Sequence, residues 1–422
     1  MTGLLRQELL PTAQWLETPL INIPSTPIIN DYEALFVSFG SCFAQNLKSV
    51  IDNYGFNYWF NRDICAHYSA LSIASTLERV AEGNSPTAQD LYVFDDGGLM
   101  AYAYFFKRRF YGENAEEALL RKMAQLDQQC REKIANCTHM VVTLGTSRIL
   151  KFRKDMGGQK AGAVINAAAG IPAEHWQSYM LSVEENVANL ERIYESVCRI
   201  RGGSIPQMIF TLSPQRYLFG KGVEEDLFVD NMLGKATLRV AISEFVKNHL
   251  DESVYYFPAF EIVMEELRLF ESLSHYDFTH IDQTHTPQYV VKRFLEAYCT
   301  PNIYDQMVLL EGLRRLIEEI GSLLDAGMLP NNPRILGFVE QALDELDASR
   351  QPFSPVIEDA LDELFHAMIF STEYKEPCAD ARFTATCRRL RRAIREQPEK
   401  NSTGIRHLAG KAKTVMVDTD AA

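Results

Sequence analysis

The sequence predicts an α/β protein with a doubly wound, mostly parallel five-stranded sheet and an all-α C-terminal extension. Two observations support this fold class. Short apolar runs alternate with amphipathic helical patterns over residues 1–300, which is typical of parallel strands joined by helices. Beyond residue 300 the apolar spacing is helical only. We therefore expect two regions, residues 1–300 and 301–422.

The predicted strands are short apolar runs rich in β-branched and aromatic residues, at 34–39, 55–60, 139–144, 207–212 and 253–257. Amphipathic helices are predicted between and after them, at 43–54, 66–83, 114–136, 180–200, 229–249 and 287–298. A hairpin is predicted around Asp95-Asp96-Gly97-Gly98, because aromatic-rich runs flank these turn residues. Residues 1–33 contain four prolines, which predict an irregular, extended lead-in.

The composition limits the class of protein. The chain has 422 residues, of which 46% are hydrophobic and 23% are charged, as in ordinary soluble globular proteins. The formal charge of −14 argues against a nucleic-acid partner, which would need a basic surface. Neither a signal peptide nor a run of transmembrane length is apparent, and the eight cysteines form no Cys-x-x-Cys pair. We expect a cytoplasmic protein with reduced thiols and no metal site.

A serine stands where the first predicted strand turns into the first predicted helix. The apolar run from Ala34 to Phe39 ends at Gly40, and helical spacing begins at Phe43. Ser41 is therefore expected at the carboxyl end of a strand, where ligands bind in open α/β sheets. The helix N-terminus stabilises negative charge, which suits a serine nucleophile that creates an oxyanion. The alternative is that Ser41 only caps the helix.

Several segments resemble one known family. Gly40-Ser41-Cys42-Phe43-Ala44 resembles the signature of the GSCFA-domain proteins, a branch of the SGNH (GDSL-like) hydrolase superfamily. Further matches follow in the order of the family, at 142–146, 210–214, 231–238 and 256–268, and then comes an Asp-x-x-His loop ahead of a helix. The resemblance covers about residues 15–300. It implies a sheet of the SGNH-hydrolase (flavodoxin-like) type.

The resemblance also implies a catalytic triad. Two Asp-x-x-His pairs stand in the loop before the last helix of the α/β region, Asp282 with His285 and Asp277 with His280. In the superfamily this spacing lets the aspartate orient the histidine that takes the serine proton. In relatives the histidine directly precedes the helix, which favours Ser41, Asp282 and His285. Asp277 and His280 remain the second-choice pair.

Two positions are candidates for the oxyanion hole. Many superfamily members have Gly-x-Asn after the third strand, where this chain has Gly145-Thr146-Ser147. The GSCFA branch often carries Asn-Cys-His further on, and Asn166 stands at the matching place. The alternative for Asn166 is an ordinary loop asparagine. The loop at 61–69 lacks the glycine that relatives usually have there, and its His67 is interpreted as structural.

The resemblance implies a carboxylic ester hydrolase that cleaves or transfers a small O-acyl group, such as acetyl, on a carbohydrate or another small alcohol. In this reaction Ser41 attacks the carbonyl, His285 takes and later delivers the proton, and Asp282 holds His285. No metal or organic cofactor is implied. The alternative is a catalytically impaired fold kept for carbohydrate binding or for complex formation.

The C-terminal region is expected to be helical, with amphipathic helices at 304–326, 333–346, 355–370 and 379–395. These helices either pack on the hydrolase domain or serve association, with a second copy or with a protein partner. The last helix has a basic face formed by Arg388, Arg389, Arg391, Arg392 and Arg395. No known catalytic motif is found in this region.

Overall fold

The computed structural model describes residues 19–106, 108–154, 161–166, 170–218, 226–249, 253–267, 285–325, 333–348, 355–370 and 381–395. The chain divides into two compact units, residues 1–307 and 308–422. This division lies close to the boundary at residue 300 that the sequence predicts.

In the first unit the elements follow one another as β1 (Leu35–Gly40), α1 (Cys42–Asn53), β2 (Asn57–Trp59), α2 (Arg62–Cys65), α3 (Ala70–Glu82), β3 (Leu91–Val93), β4 (Leu99–Ala101), α4 (Ala115–Asn136), β5 (His139–Leu144), β6 (Arg148–Phe152), β7 (Val164–Ile165), β8 (Trp176–Met180), α5 (Val183–Ile200), β9 (Gln207–Leu212), α6 (Leu227–Asn248), β10 (Val254–Phe257), α7 (Ala259–Glu261) and α8 (His285–Tyr298). A π-helical turn, Ile262–Glu266, continues α7.

The main sheet has five strands in the order β10-β9-β5-β1-β2, and every neighbouring pair is parallel. The five predicted strands are thus confirmed, as is the doubly wound α/β class. The chain leaves β1 for β2 on one side and returns to β5 on the other. The strand order therefore reverses between β1 and β5, and ligands bind beyond the carboxyl ends of the strands at such a point.

Alternation of side chains along the strands creates two buried faces. One face packs in a single hydrophobic core with α3, α4, α5 and α6, and its strand residues are Val37, Phe39, Met140, Val142, Leu144, Met208, Phe210 and Leu212. Residues of the other parity, such as Phe36 and Ile209, are also fully buried. Helix α1 contacts β1, β5 and α8. Helices thus cover both sides, which explains the nearly continuous apolar runs in the strands.

A second sheet was not among the elements predicted. β6 pairs antiparallel with both β7 and β8. Its Phe152 packs with Tyr92 of the β3–β4 hairpin, which was predicted, and with Trp176. The aromatic residues of the hairpin therefore form a small core of their own. These strands are two to five residues long, too short for a clear alternation of apolar and polar positions.

The boundaries of several predicted helices shift by a few residues, and the helix predicted at 180–200 begins at Val183. The helix predicted at 66–83 begins only at Ala70, because the Ser69 hydroxyl caps it by accepting the N–H of Ser72 at 3.3 Å. Helix α8 begins at His285, two residues earlier than predicted. A capping box begins α5, with reciprocal hydrogen bonds between Ser182 and Glu185.

The described part of the lead-in, residues 19–34, ties the end of α8 to the sheet. The N–H groups of Ile28 and Ile29 donate to Tyr298 O at 2.9 Å, and Ile29 forms a parallel bridge with Cys299. These bonds satisfy carbonyl groups that the helix C-terminus leaves unpaired.

The second unit is helical, as predicted. It contains most of α9 (Pro301–Asp325), followed by α10 (Pro333–Ala348), α11 (Pro355–Phe370) and α12 (Ala381–Arg395). Helix α12 packs on α10 and α11. Arg389 of its predicted basic face pairs with Asp344 at 2.6 Å, so part of that face meets an acidic helix of the same unit. Among the described helices, none is both apolar and long enough to span a bilayer.

A side chain at position 40 would have no space. The φ of Gly40 is +145°, and an added Cβ would lie 2.2 Å from the carbonyl oxygen of Thr143. We expect Gly40→Ala to lower the free energy of unfolding by about 3–5 kcal/mol. The control is Gly202→Ala, also at positive φ (+67°) but with open space around it. It should lose only about 1 kcal/mol.

Urea unfolding of both variants measures these losses. Equal losses in the two variants would contradict a steric role for Gly40.

Candidate active site

Ser41 lies between β1 and α1 and is almost completely buried, with 3% of its surface exposed. Its Oγ accepts a hydrogen bond from the N–H of Phe43 at 3.2 Å, so Ser41 is the N-cap of α1. The capping role was the alternative interpretation of this serine. It does not exclude catalysis, because the cap position places the hydroxyl directly at the positive end of a twelve-residue helix.

Gly145 lies beside Ser41, directly after the neighbouring strand β5. A Cβ at Gly145 would lie 3.7 Å from the Cβ of Ser41 and 3.2 Å from the carbonyl oxygen of Tyr68. The absence of a side chain thus leaves room above the serine. The N–H groups of Gly145 and Thr146 both donate to Tyr68 O, at 2.8 and 2.9 Å. In this arrangement the Gly145 N–H is therefore already hydrogen-bonded within the protein.

Asn166 reaches the loop that borders the serine. Its side-chain amide donates to Ala66 O at 2.8 Å, and Ala66 forms a parallel bridge with Gly40, the residue before Ser41. The next residue, His67, donates its backbone N–H to Gly40 O at 3.0 Å. The structure thus brings Ser41, Gly145 and Asn166 to one edge of the sheet. One of the two amide hydrogens of Asn166 is used by Ala66.

His67 is held in a structural role, as interpreted from the sequence. It is fully buried, and its Nε2 lies 2.8 Å from Ile64 O and 3.3 Å from the hydroxyl of Thr76. Burial lowers the pKa of His67 to about 4, so the imidazole is neutral at physiological pH. Because Nε2 faces a carbonyl oxygen, this nitrogen carries the proton and cannot accept one from Ser41.

The candidate residues in the loop before α8 are only partly described. Asp277, His280 and Asp282 lie outside the described residues, and so does the side chain of His285. The backbone of His285 is described, and it is the first residue of α8. The start of α8 therefore gives the backbone position of His285.

Helix α8 ends at the amino edge of the sheet. Its last residues bond to Ile28 and Ile29, and Ile28 O lies 3.1 Å from the imidazole of His139, the first residue of β5. A helix of 14 residues and a strand of six both span about 20 Å. Tyr289 and Arg293 of α8 bond to Glu266, which follows β10, so the N-terminus of α8 lies towards the carboxyl edge, and α8 also contacts α1, which begins there. His285 and Ser41 thus start neighbouring helices at the same edge.

A buried ion pair fixes the orientation of α8. Glu266, 2% exposed, accepts hydrogen bonds from Arg293 and Tyr289 of α8. Its other oxygen accepts the N–H of Ile21 at 2.8 Å, and Arg293 in turn donates to Ile21 O at 2.6 Å. Both oxygens of the Glu266 carboxylate therefore have hydrogen-bond donors, and these bonds hold α8 against the π-helical turn that follows β10.

Sequence reasoning missed two residues of the site, Ser213 and Lys235. Ser213 follows β9, and its hydroxyl oxygen lies 3.0 Å from that of Ser41. Lys235 of α6 is 2% exposed, and its Nζ donates to Ser213 O at 2.6 Å. Burial lowers the pKa of Lys235 to about 7. A signal was present, since Lys235 shares helical spacing with the buried Leu238 and Ile242.

Three aromatic rings stand near the serine, and each is partly exposed. The ring of Tyr68 lies 5.3 Å from that of Tyr217 and 6.0 Å from that of Phe105, between centroids. Its Cδ1 is 3.5 Å from the position of a Cβ on Gly145. Planar apolar surface of this kind can stack on a sugar ring or enclose an acyl group.

Within the described parts of the chain, no cluster of three or more histidine, cysteine, aspartate or glutamate side chains is placed to hold a metal ion. The site that these parts contain is a serine hydroxyl at a helix N-terminus, surrounded by backbone donors, a second hydroxyl and a buried amine. This site lies where the strand order reverses, which defines a doubly wound α/β protein with a candidate ligand site at that point.

Comparison with known families is consistent with this class. The GSCFA family model matches residues 35–294, which is more than half of the chain. The chain therefore belongs to the GSCFA family. The match spans β1 to α8 and so includes both Ser41 and His285. No curated protein matches the sequence.

The lowered pKa of Lys235 predicts a pH-dependent stability. The unfolded chain keeps the lysine proton up to about pH 10.5, whereas the folded protein loses it near pH 7. In this window the unfolded state binds more protons, so raising the pH stabilises the folded state. Relative to Lys235→Met, the wild type should gain roughly 3 kcal/mol of unfolding free energy between pH 7 and about pH 10.

Urea unfolding at matched pH values measures the difference. The control is Lys247→Met, which makes the same substitution at an exposed lysine of the same helix. A difference between Lys235→Met and the wild type that stays constant with pH would show that Lys235 has an ordinary pKa.

Proposed function

We propose that the protein is a serine hydrolase of the SGNH type, which cleaves or transfers a small O-acyl group through an acyl-enzyme. The observation that carries the proposal is the position of Ser41. Its hydroxyl lies at the N-terminus of α1, at the carboxyl end of β1, where the strand order reverses. A nucleophile needs this place, because the dipole of α1 stabilises the oxyanion that forms on attack.

In the proposed reaction His285 is the general base. It accepts the proton of Ser41 during attack and delivers it to the leaving alcohol, while Asp282 fixes the imidazole tautomer. Support comes from the placement of α8, whose first residue is His285 and whose N-terminus lies towards the edge at which Ser41 stands. Asp277 and His280 remain the second-choice pair.

The proposed oxyanion hole combines the N-terminus of α1 with the amide of Asn166. One hydrogen of that amide is bonded to Ala66 O, and in the proposed hole the other donates to the oxyanion. Gly145 contributes space above Ser41. Its N–H would become a donor only if the bond to Tyr68 O opened when substrate binds.

The proposed substrate is an acylated carbohydrate or another small alcohol, with acetyl as the favoured acyl group. The ring of Tyr68 and its aromatic neighbours supply a surface on which a sugar ring can stack. No cofactor is needed for this chemistry. We propose a cytoplasmic protein, since the six cysteines whose side chains are described are all free thiols. The C-terminal helices are the proposed place for a second copy or a protein partner.

A second candidate function is carbohydrate binding or complex formation without hydrolysis. Two observations favour it: the Gly145 N–H is bonded to Tyr68 O, and the Asn166 amide is bonded to Ala66 O. If neither donor turns towards a substrate, the oxyanion has only the helix N-terminus, and losing one such donor typically lowers kcat by about 10²- to 10³-fold.

Fluorophosphonate labelling, mapped by mass spectrometry, distinguishes the two functions. We expect labelling at Ser41 together with hydrolysis of p-nitrophenyl acetate, and loss of both in Ser41→Ala. The control is Ser49→Ala, an exposed serine of the same helix, which should behave as the wild type. His285→Ala should reduce labelling by about 10³-fold or more, because the serine loses its base.

A folded wild-type protein that is neither labelled nor active would favour the binding function. Activity retained in Ser41→Ala would remove Ser41 from the mechanism.

A further inference from the structure

We propose that Ser213 is a further catalytic residue of this site, because its hydroxyl donates a hydrogen bond to Ser41 Oγ during attack. We further propose that Lys235 is the positioning residue that holds Ser213 in place. Both statements rest on the proposed function of Ser41 as the nucleophile. They add a role for two residues that stand in the family-like segments 210–214 and 231–238 but to which the resemblance assigns no role.

The contact between the two serines is buried and fixed by the sheet. The two hydroxyl oxygens are 3.0 Å apart, and Ser213 is fully buried. The backbone N–H of Ser213 donates to Leu144 O at 2.8 Å, which extends the pairing of β9 with β5 beyond Leu212. Ser213 therefore has the rigidity of a strand, although it lies just past the last strand residue.

Each hydroxyl accepts one backbone N–H, so either serine can donate to the other. Ser41 Oγ donates to Ser213 Oγ in this structure, and the proposed role needs the reverse direction during attack. A hydroxyl has one proton and two acceptor positions. Ser41 Oγ accepts the N–H of Phe43 at 3.2 Å, and Ser213 Oγ accepts the N–H of Gln215 at 3.3 Å. When Ser213 donates to Ser41, the Phe43 N–H must release its acceptor position, so that this lone pair of Ser41 Oγ can attack the carbonyl carbon. The proton of Ser41 is then left for the general base, as nucleophilic attack requires.

The chemical step balances without any other reactant. A bond forms between Ser41 Oγ and the ester carbonyl carbon, the carbonyl π pair moves to its oxygen, and the Ser41 proton passes to the general base. Ser213 keeps its own proton throughout. Its hydrogen bond stabilises the negative charge that gathers on Ser41 Oγ as the proton leaves. In deacylation Ser41 Oγ is the leaving group, and the same bond assists it.

Lys235 acts on Ser213 through the backbone. Its Nζ donates to Ser213 O at 2.6 Å from a position that is 2% exposed. Water therefore does not compete for this bond. Leaving the buried Ser213 carbonyl without its donor would lower the stability of the folded state by about 1–3 kcal/mol. Because Lys235 sits on α6, it links the turn after β9 to a helix of the core. Loss of the amine should let Ser213 shift away from Ser41.

The first test measures the second-order rate constant with which a fluorophosphonate labels Ser41. A hydrogen bond to a charged group contributes about 1.5–3 kcal/mol, so Ser213→Ala should be labelled about 10- to 150-fold more slowly. For p-nitrophenyl acetate kcat should fall while KM stays near the wild-type value, because Ser213 contacts the nucleophile. Ser213→Thr keeps the hydroxyl and should recover most of the rate.

The matched control is Ser147→Ala. Ser147 is also a fully buried serine after a strand of the main sheet, but its hydroxyl donates to Gly234 O at 3.0 Å. Its loss should leave the labelling rate near that of the wild type. Urea unfolding of each variant shows that the folded state is retained under the assay conditions.

The second test is a double-mutant cycle. Lys235→Met should slow labelling about tenfold when Ser213 is present and less than about twofold in the Ser213→Ala background, because Lys235 acts through Ser213. Phe245→Leu, a core change further along α6, is the control for general destabilisation and should not alter the rate. Equal effects of Lys235→Met in both backgrounds would overturn its positioning role.

The outcomes separate this inference from the proposed function. If the wild type is labelled at Ser41 and Ser213→Ala is labelled equally fast, Ser213 is not catalytic and the proposed function stands. If the folded wild type is not labelled at Ser41, the proposed function fails and the role of Ser213 fails with it.

Discussion

The close approach of Gly40 to Thr143 is the constraint on which the site depends. No side chain fits between them, since an added Cβ would lie 2.2 Å from the Thr143 carbonyl oxygen. This contact lets β1 end against β5 and lets α1 begin with only Ser41 between the strand and the helix. Ser41 is thereby fixed as the cap of α1, with its hydroxyl between the helix N-terminus and the carboxyl ends of β5 and β9. A larger residue would have to move the two strands apart and would displace the hydroxyl from both.

Parallel strands explain why residues distant in sequence meet here. All carboxyl ends of the main sheet lie at one edge, so the residues that follow β1, β5 and β9 become neighbours. Ser41, Gly145 and Ser213 are these residues. Helix α6 then adds the side chain of Lys235 from outside the sheet, and α8 begins at His285. The buried pair of Arg293 and Glu266 holds α8 in register with this edge.

Much of this arrangement could be predicted from the sequence. The apolar runs defined all five strands, and the helical spacing predicted α8, whose Val290, Val291, Phe294, Leu295 and Tyr298 are buried. The β6–β8 sheet was missed because its strands are too short for a clear period. Ser213 and Lys235 were missed because their roles arise from contacts between elements. A serine after a strand and a lysine on a helix are common locally, and only the fold brings them to Ser41. The hydrogen bond of Gly145 to Tyr68 O is likewise invisible in the sequence, since any residue can supply a carbonyl.

The central claim is that Ser41 and His285 form one catalytic unit. The most direct measurement is a crystal structure that resolves residues 275–287 and gives the distance from Ser41 Oγ to the nearer imidazole nitrogen of His285. The account predicts a hydrogen bond of about 3 Å, or a gap that a single side-chain rotation closes. A separation of roughly 8 Å or more, with the imidazole held by other partners, would contradict it.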